Sequence, residues 1–301
     1  MEGRASAETG PRQGATFLRY PWPGRLLRRT LRCAVQRAMT AGSRDHGFTR
    51  VDELPRPAKC VECLDTVHAH PFYREYKARV REILQPRSAG LYLEVGAGVG
   101  TDAGIPGMQV IALDKSLTMC REARKRGQKM VISADAEALP LPSDTVEGCW
   151  ADRTFQHLHD PDAALRELTR VMKPAATIVV VDPDYGTQAM EFPDRRLAKQ
   201  VFSFRAHSLL RNGTLAHQMP QRFVDVGLEH VRIEEHRLVV RDPASLDGVL
   251  GLRSWARTAA ERGNMTGDEA DRWENLYDQV VAKGRFCWSV SFFISCGRKP
   301  R

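Results

Sequence analysis

Residues Leu91 to Asp114 read LYLEVGAGVGTDAGIPGMQVIALD, and the order of apolar runs, glycines and carboxylates in them decides the fold. One apolar run ends in Glu94, glycines follow at alternate positions (Gly96, Gly98, Gly100), and a second apolar run ends in Asp114. The pattern predicts a strand, a glycine turn, a short helix and a second strand. Glycine is wanted in the turn because the chain reverses tightly and a ligand must lie against its backbone. A dinucleotide site spaces its glycines G-x-G-x-x-G, keeps the end of its first strand apolar and holds a pyrophosphate on helix N–H groups. Here the spacing is G-x-G-x-G behind Glu94. That carboxylate repels a pyrophosphate and attracts a cationic amine, while Asp114 is placed to accept from both hydroxyls of a ribose. A nucleoside carrying an amino acid meets both demands.

Downstream the periodicity alternates: helix 116–126, strand 129–134, the loop DAEALPLPSD, strand 146–151, helix 160–172 and strand 177–182. Strands alternating with helices give a parallel sheet with right-handed crossovers. Glu94, Asp114, Asp135 and the segment Asp152 to Asp160 then share the carboxyl ends of four strands, where such sheets bind ligands. Beyond Asp182 the chain is expected to leave the sheet through PDYGT into a helical stretch, 193–211. It returns as a strand (231–240), forms helices 244–262 and 267–283, and ends in the strand RFCWSVSFFISC. The fold class is therefore α/β: a Rossmann-like seven-stranded sheet, parallel apart from a terminal antiparallel strand, with helices on both faces and a helical lid. The expected division is a basic extension (1–45), N-terminal lid helices (46–85), a Rossmann-like core (86–185), and lid inserts with the last two strands (186–301).

The chain has 301 residues, 42% of them apolar, enough for one large core. No apolar run approaches the roughly 20 residues that span a bilayer, so stable membrane insertion is not expected. Seven scattered cysteines fit reduced thiols and a cytoplasmic setting. Cys60 and Cys63 form a C-x-x-C without a second pair or histidine couplet, and no metal site is expected. The net charge of +8 is local: residues 1 to 50 hold ten arginines and three acids. A basic arm does not make the crevice a nucleic-acid site. Within it Leu27, Leu31, Val35 and Ala38 recur at helical spacing among arginines. Such a helix could pack on protein, lie on a membrane surface or belong to a targeting segment, although no apolar core follows Arg28-Arg29 as a secretory signal requires. The expectation adopted is a homo-oligomer with this helix at the interface. Farther on, Pro71 divides two helices over 56–85, and Tyr73 and Tyr76 are candidates for the ligand pocket.

With these residues placed, the chain resembles the class I methyltransferases that use S-adenosylmethionine, in the branch containing ubiquinone and menaquinone C-methyltransferases and bacterial natural-product methyltransferases. EVGAGVG resembles the family's glycine loop and IALDKS its ribose-binding strand end. DAEALPLPSDTVE and RTFQHLHDPDAALRELTRVMKP resemble its adenine loop and the segment after the fourth strand. The resemblance implies that Glu94, with the Gly96, Ala97 and Gly98 backbone, holds the methionine moiety. It further implies that Asp114 binds the ribose with Lys115 beside it, that Asp135 and the Ala136 N–H meet the adenine, and that Arg153 and Thr154 lie near the sulfonium. The chain departs from the pattern in a very short segment after the glycine loop, and in Ala175 and Ala176 where the family often has glycines.

Methyl transfer is an in-line displacement that depends mainly on holding donor and nucleophile together. A general base is optional; His157, in QHLHD, is the candidate catalytic residue, with His159 behind it. Asp160 before Pro161 reads as a helix N-cap. The expected activity is transfer of a methyl group from S-adenosylmethionine, leaving S-adenosylhomocysteine, to a small-molecule acceptor, a natural-product or quinone-like metabolite. The alternatives are a nucleic-acid or protein methyltransferase, for which the post-strand segment ADRTFQ lacks an N-P-P-Y-type motif, and a protein that binds the cofactor without turnover.

Overall fold

The computed structural model describes residues 47–102, 108–246 and 249–301. Two 3-10 turns, Gly47–Thr49 and Val51–Glu53, lead into helices α1 (Ala58–Ala69) and α2 (Pro71–Leu84). The break between the helices is local: Pro71 supplies the fixed φ of a first helical position and the His70 ring accepts from the Phe72 N–H. There follow β1 (Leu91–Val95), β2 (Gln109–Asp114), α3 (Leu117–Lys125), β3 (Met130–Ser133), β4 (Val146–Asp152), α4 (Pro161–Val171) and β5 (Met172–Met190). The chain continues through α5 (Arg195–Phe204), α6 (Met219–Asp225), β6 (Glu229–Val240), α7 (Trp255–Glu261) and α8 (Gly267–Ala282) to β7 (Trp288–Arg298).

All seven strands form one sheet in the order β3-β2-β1-β4-β5-β7-β6. Only β7 runs against its neighbours, pairing antiparallel with both β5 and β6. Side chains alternate across the sheet. Tyr92, Val110, Ala112, Trp150, Val179 and Val181 pack under α2, α5, α7 and α8. Leu93, Val95, Ile111, Leu113, Cys149, Ala151, Ile178 and Val180 pack on α4 and α6. The doubly covered sheet expected from the alternation is present.

The helix ends follow their capping chemistry. Asp160 accepts from the Ala163 N–H at 2.9 Å ahead of Pro161, and Thr266 and Glu269 form a reciprocal capping box on α8. At α3 the cap is tertiary as well: Ser116 accepts from the Met119 N–H and donates to Asp52, whose carboxylate also accepts from the N–H groups of Leu117 and Thr118. The N-terminal segment is thereby tied to the start of α3, at the rim of the crevice.

Five expectations need correction or fall outside what is described. The chain does not leave the sheet after Asp182, because β7 continues to offer partners: Pro183 lies opposite Phe292, Asp184 opposite Ser291, and pairing resumes at Ala189 after a shift of register. Pro183 is tolerated because β4 ends opposite Val181, so no N–H is required on that side. The stretch 244–262 is not one helix. It begins as 3-10 turns, with Gly251 at φ +61° preceding the second, and becomes α-helical only at Trp255. Helix 193–211 divides into α5 and a π-helical turn, Arg205–Leu209. The short helix after the glycine loop and the arginine-rich stripe Leu27, Leu31, Val35, Ala38 lie outside the described residues. Ala175, where the resemblance anticipates glycine, is left-handed at φ +65°. That conformation costs an L-residue about 1–2 kcal/mol; it is held by Ala175 N–H bonding to Lys299 O and by Arg298 donating to Ala175 O.

Candidate active site

The glycine turn leaves β1 with Gly96, Gly98 and Gly100 at φ +67°, +53° and +71°. Its amides are largely spent within the protein. The Ala97 N–H bonds to Leu113 O at 2.9 Å, the Gly100 N–H to Ala97 O at 2.8 Å, and the Gly98 N–H to Asp114 Oδ2 at 2.8 Å. A loop so committed makes a poor pyrophosphate cradle, in accord with the carboxylate at Glu94. Gly96 is packed too closely for a side chain. A Cβ there would lie 2.2 Å from Thr154 Oγ1, a hydroxyl that donates to Val95 O and Asp152 O, both at 3.1 Å.

Asp114, at the end of β2, accepts from Gly98 N–H on one oxygen and from Ser116 N–H on the other, each at 2.8 Å. Each oxygen keeps a lone pair for a ligand hydroxyl. Burial raises this carboxyl, with the two amides opposing. Asp135 lies on the neighbouring loop; its Oδ1 accepts from the Glu137 N–H and its Oδ2 from Lys115 Nζ at 2.7 Å. Burial works against its charge, but Lys115 brings the carboxyl below the ordinary range. Lys115 is therefore paired with Asp135, and Ala136 beyond it is buried.

At the opposite end of the crevice the site is richer than the sequence suggested. Glu94 is buried, and its Oε2 has no hydrogen-bond partner. Burial, and then the Asp102 carboxylate, push its carboxyl well above the usual range, with Lys77 opposing. Lys77 pairs with Asp102 and lies 3.4 Å from Asp152. The Tyr76 hydroxyl donates to Asp152 at 2.7 Å. His68 Nε2 lies 3.8 Å from Asp102 while its buried Nδ1 has no partner. Burial and Lys77 hold that ring neutral, with its pKa down at about 4. An unpartnered buried carboxyl oxygen beside a lysine already committed to Asp102 and Asp152 suits an ammonium ligand, which is the fit the amino-acid end of S-adenosylmethionine demands.

Arg153 follows β4 with φ +51°, a left-handed backbone seldom adopted outside glycine. Its guanidinium lies 3.4 Å from Asp152 and 5.1 Å from the centre of the Tyr73 ring. Tyr73 lines the crevice, whereas Tyr76 is fully buried and supports Asp152. His157 also lines the crevice, stacked on Phe48 at 6.3 Å. His159 is exposed and bonds through its N–H to Glu137. Cys60 and Cys63 sit on α1 with thiols raised by burial to about 12 and about 11, and no group of three or more potential metal ligands occurs among the described residues.

These residues surround one cavity of about 1770 Å³ that continues from the strand ends under α7 and α8, where Leu246, Leu252, Trp255, Tyr277 and Phe286 form an apolar wall. Lys77, Asp102 and His68 are the site residues that reading the sequence did not identify, whereas Asp152 lies at the strand end it marked. A signal existed for Lys77, which lies on the stripe Tyr73, Tyr76, Val80, Leu84 that α2 turns inward. A lysine at such a position needs a buried partner. Asp102 and His68 carry no comparable mark.

Residues 93–180 match the sequence profile of a methyltransferase domain. An uncharacterized 37.1 kDa protein in transposon TN4556 of Streptomyces fradiae is 28% identical over 244 residues, covering 78% of this chain and 70% of that protein. A demethylmenaquinone methyltransferase of Renibacterium salmoninarum is 32% identical over 99 residues, 32% of this chain and 42% of the relative, so the chain spans less than half the length of that enzyme. Among solved structures, the phosphoethanolamine N-methyltransferase 2 of Haemonchus contortus in complex with S-adenosylhomocysteine superposes with a TM-score of 0.52 at 17% identity, over 84% of this chain and 60% of that one. That likeness speaks for the fold alone. Together with the glycine turn and the acidic strand ends, the matched profile identifies residues 93–180 as a class I S-adenosylmethionine-dependent methyltransferase domain.

Proposed function

We propose that the protein transfers a methyl group from S-adenosylmethionine to a small-molecule acceptor, a natural-product or quinone-like metabolite, held in the part of the cavity under α7 and α8. The observation that carries this reading is the shared space: the buried Glu94, with its unpartnered Oε2, and the apolar wall of Trp255, Tyr277 and Phe286 line the same cavity of about 1770 Å³. Cavities of about 300–1,000 Å³ hold one drug-sized ligand, so this one has room for donor and acceptor together. When bound, the cofactor supplies an electrophilic methyl on a sulfonium whose leaving group is a neutral thioether. Glu94 pairs with the ammonium, Asp114 accepts from the ribose hydroxyls, and Asp135 with the Ala136 N–H meets the adenine. Gly96, Ala97 and Gly98 keep the backbone close to the methionine, and Arg153 borders the reacting centre. Incubation with methyl-labelled S-adenosylmethionine and a metabolite extract of the producing organism tests the reading. Label in a small molecule supports it; label in protein or nucleic acid, or cofactor binding without turnover, overturns it.

His157 is proposed as the group that accepts the acceptor's proton, since it lines the crevice just after β4 and an imidazole can serve as a general base. His157→Ala should lower kcat by about 10² or more and leave cofactor affinity nearly unchanged. A loss of only a few-fold assigns the residue to the wall it forms with Phe48.

Among the described residues no helix is long and apolar enough to cross a membrane. The reading includes a cytoplasmic homo-oligomer with the arginine-rich segment at its interface, since a stripe that short is marginal as an isolated helix. Removing residues 1 to 45 should lower the mass measured by light scattering. An unchanged mass contradicts the assignment.

A further inference from the structure

The wall of the cavity away from the strand ends carries several arginines, and most are neutralised by neighbouring acids. Arg253 bonds to Asp278 and Glu274, Arg257 pairs with Asp271 and Glu274, and Arg153 pairs with Asp152. Arg205 differs. Among the described residues it has no acidic partner, its Nε is buried without a hydrogen bond, and its one polar contact is a 3.4 Å donation to the Tyr185 hydroxyl. The guanidinium lies 4.8 Å from the centre of the Tyr185 ring and 4.9 Å from that of Trp255, and all three residues line the cavity.

Two aromatic contacts restrict the orientation of a guanidinium while leaving its N–H donors unsatisfied. Such an edge matches a planar two-oxygen anion. The backbone that carries Arg205 is itself confined. It opens the π-helical turn after α5, a Cβ on Gly213 would come within 2.4 Å of Ala206 O, and Gly213 O accepts from the Tyr185 N–H. Gly213 thus packs against the residue after Arg205 and bonds to the backbone of Tyr185. Around them Leu246, Leu252, Tyr277 and Phe286 provide an apolar surface. Arg205 also lies close enough, with Arg153, to bear on the Cys63 thiol, so the two guanidiniums flank the same stretch of α1.

We propose that Arg205, set against Tyr185 and Trp255, is a specificity residue that receives a carboxylate on the methyl acceptor, and that the acceptor is an apolar organic acid. The inference rests on the methyltransferase reading for the word acceptor, but the anion site itself stands without it. In the bound state the carboxylate takes a bidentate pair of hydrogen bonds from Arg205, and the apolar body lies against the wall under α7 and α8.

The test is a binding titration read by tryptophan fluorescence, with and without S-adenosylhomocysteine. Benzoate, cinnamate, 2-naphthoate and octanoate are each compared with the corresponding uncharged amide. In the wild-type protein at least one acid is expected to bind about tenfold or more tightly than its amide. Arg205→Gln should abolish that preference while S-adenosylhomocysteine affinity changes less than about twofold. If Arg205 only joins Tyr185 to Trp255, the variant lowers thermal stability and the acid-to-amide ratio stays as in the wild type, which overturns the proposal. So does a wild-type protein that prefers none of the four acids. Failure of S-adenosylhomocysteine to bind, with the acid preference intact, instead counts against the methyltransferase reading and leaves the anion site standing.

Discussion

Replacing Asp114 with alanine is expected to weaken S-adenosylhomocysteine binding at least about tenfold in a protein that remains folded. Two charge-assisted hydrogen bonds from the ribose would be lost, each worth ~1.5–3 kcal/mol. The same carboxylate also fixes the Gly98 and Ser116 amides at 2.8 Å, so the variant loosens the glycine turn on one side and the start of α3 on the other. Calorimetric titration of wild type and variant measures the effect. An unchanged affinity would remove Asp114 from the cofactor site and with it the register on which Asp135 and Ala136 were placed.

Gly96→Ala is expected to have an effect of comparable size for a different reason. The residue is left-handed at φ +67°, which costs an L-side chain about 1–2 kcal/mol, and its Cβ would stand 2.2 Å from Thr154 Oγ1 and 2.7 Å from Thr154 Cγ2. Thr154 cannot swing aside without giving up its bonds to Val95 O and Asp152 O. Strain plus overpacking should lower folding stability by about 2–4 kcal/mol and displace the turn from the cofactor. Thr154→Ala removes the two nearest atoms, so the double variant should recover part of the loss. Urea unfolding of the two single variants and the double variant decides it; a Gly96→Ala protein as stable as wild type would mean that the turn is looser than its geometry indicates.

The sheet and the acidic strand ends that frame the crevice were legible in the sequence because they are written in short-range pattern. Apolar runs closed by Glu94 and Asp114, alternate glycines between them, and helices with caps such as Asp160-Pro161 require no knowledge of distant contacts. The last strand was legible for the same reason, since the β-branched and aromatic run before Cys296 fits a buried strand. What was not legible depends on partners far along the chain. Strand β5 runs past Pro183 only because Phe292 and Ser291 lie opposite. The region after Pro243 opens in 3-10 turns where periodicity favoured a continuous helix. In the site, Asp152 is organised by Tyr76, Lys77 and Arg153. Lys77 joins Asp102 across 25 positions. Arg205 was silent in the sequence because what sets it apart is that no acid lies beside it among the described residues.

On the proposed reading, the buried carboxyl of Glu94 receives the cofactor's ammonium. Burial and the neighbouring Asp102 keep that carboxyl protonated well above the usual carboxylate range. To pair with an ammonium it must ionise, so binding expels a proton, and affinity should rise as pH rises and fall as pH drops. A carboxylate already ionised in the free protein would release no proton at that pH, and its affinity would fall only at lower pH. The deciding measurement is calorimetric titration of S-adenosylhomocysteine at about pH 6 in two buffers of different ionisation enthalpy, for wild type and Glu94→Gln. The wild type is expected to release protons on binding, and the variant to bind more weakly and release markedly fewer. Binding with no proton released by the wild type, or equally tight binding by Glu94→Gln, would contradict it.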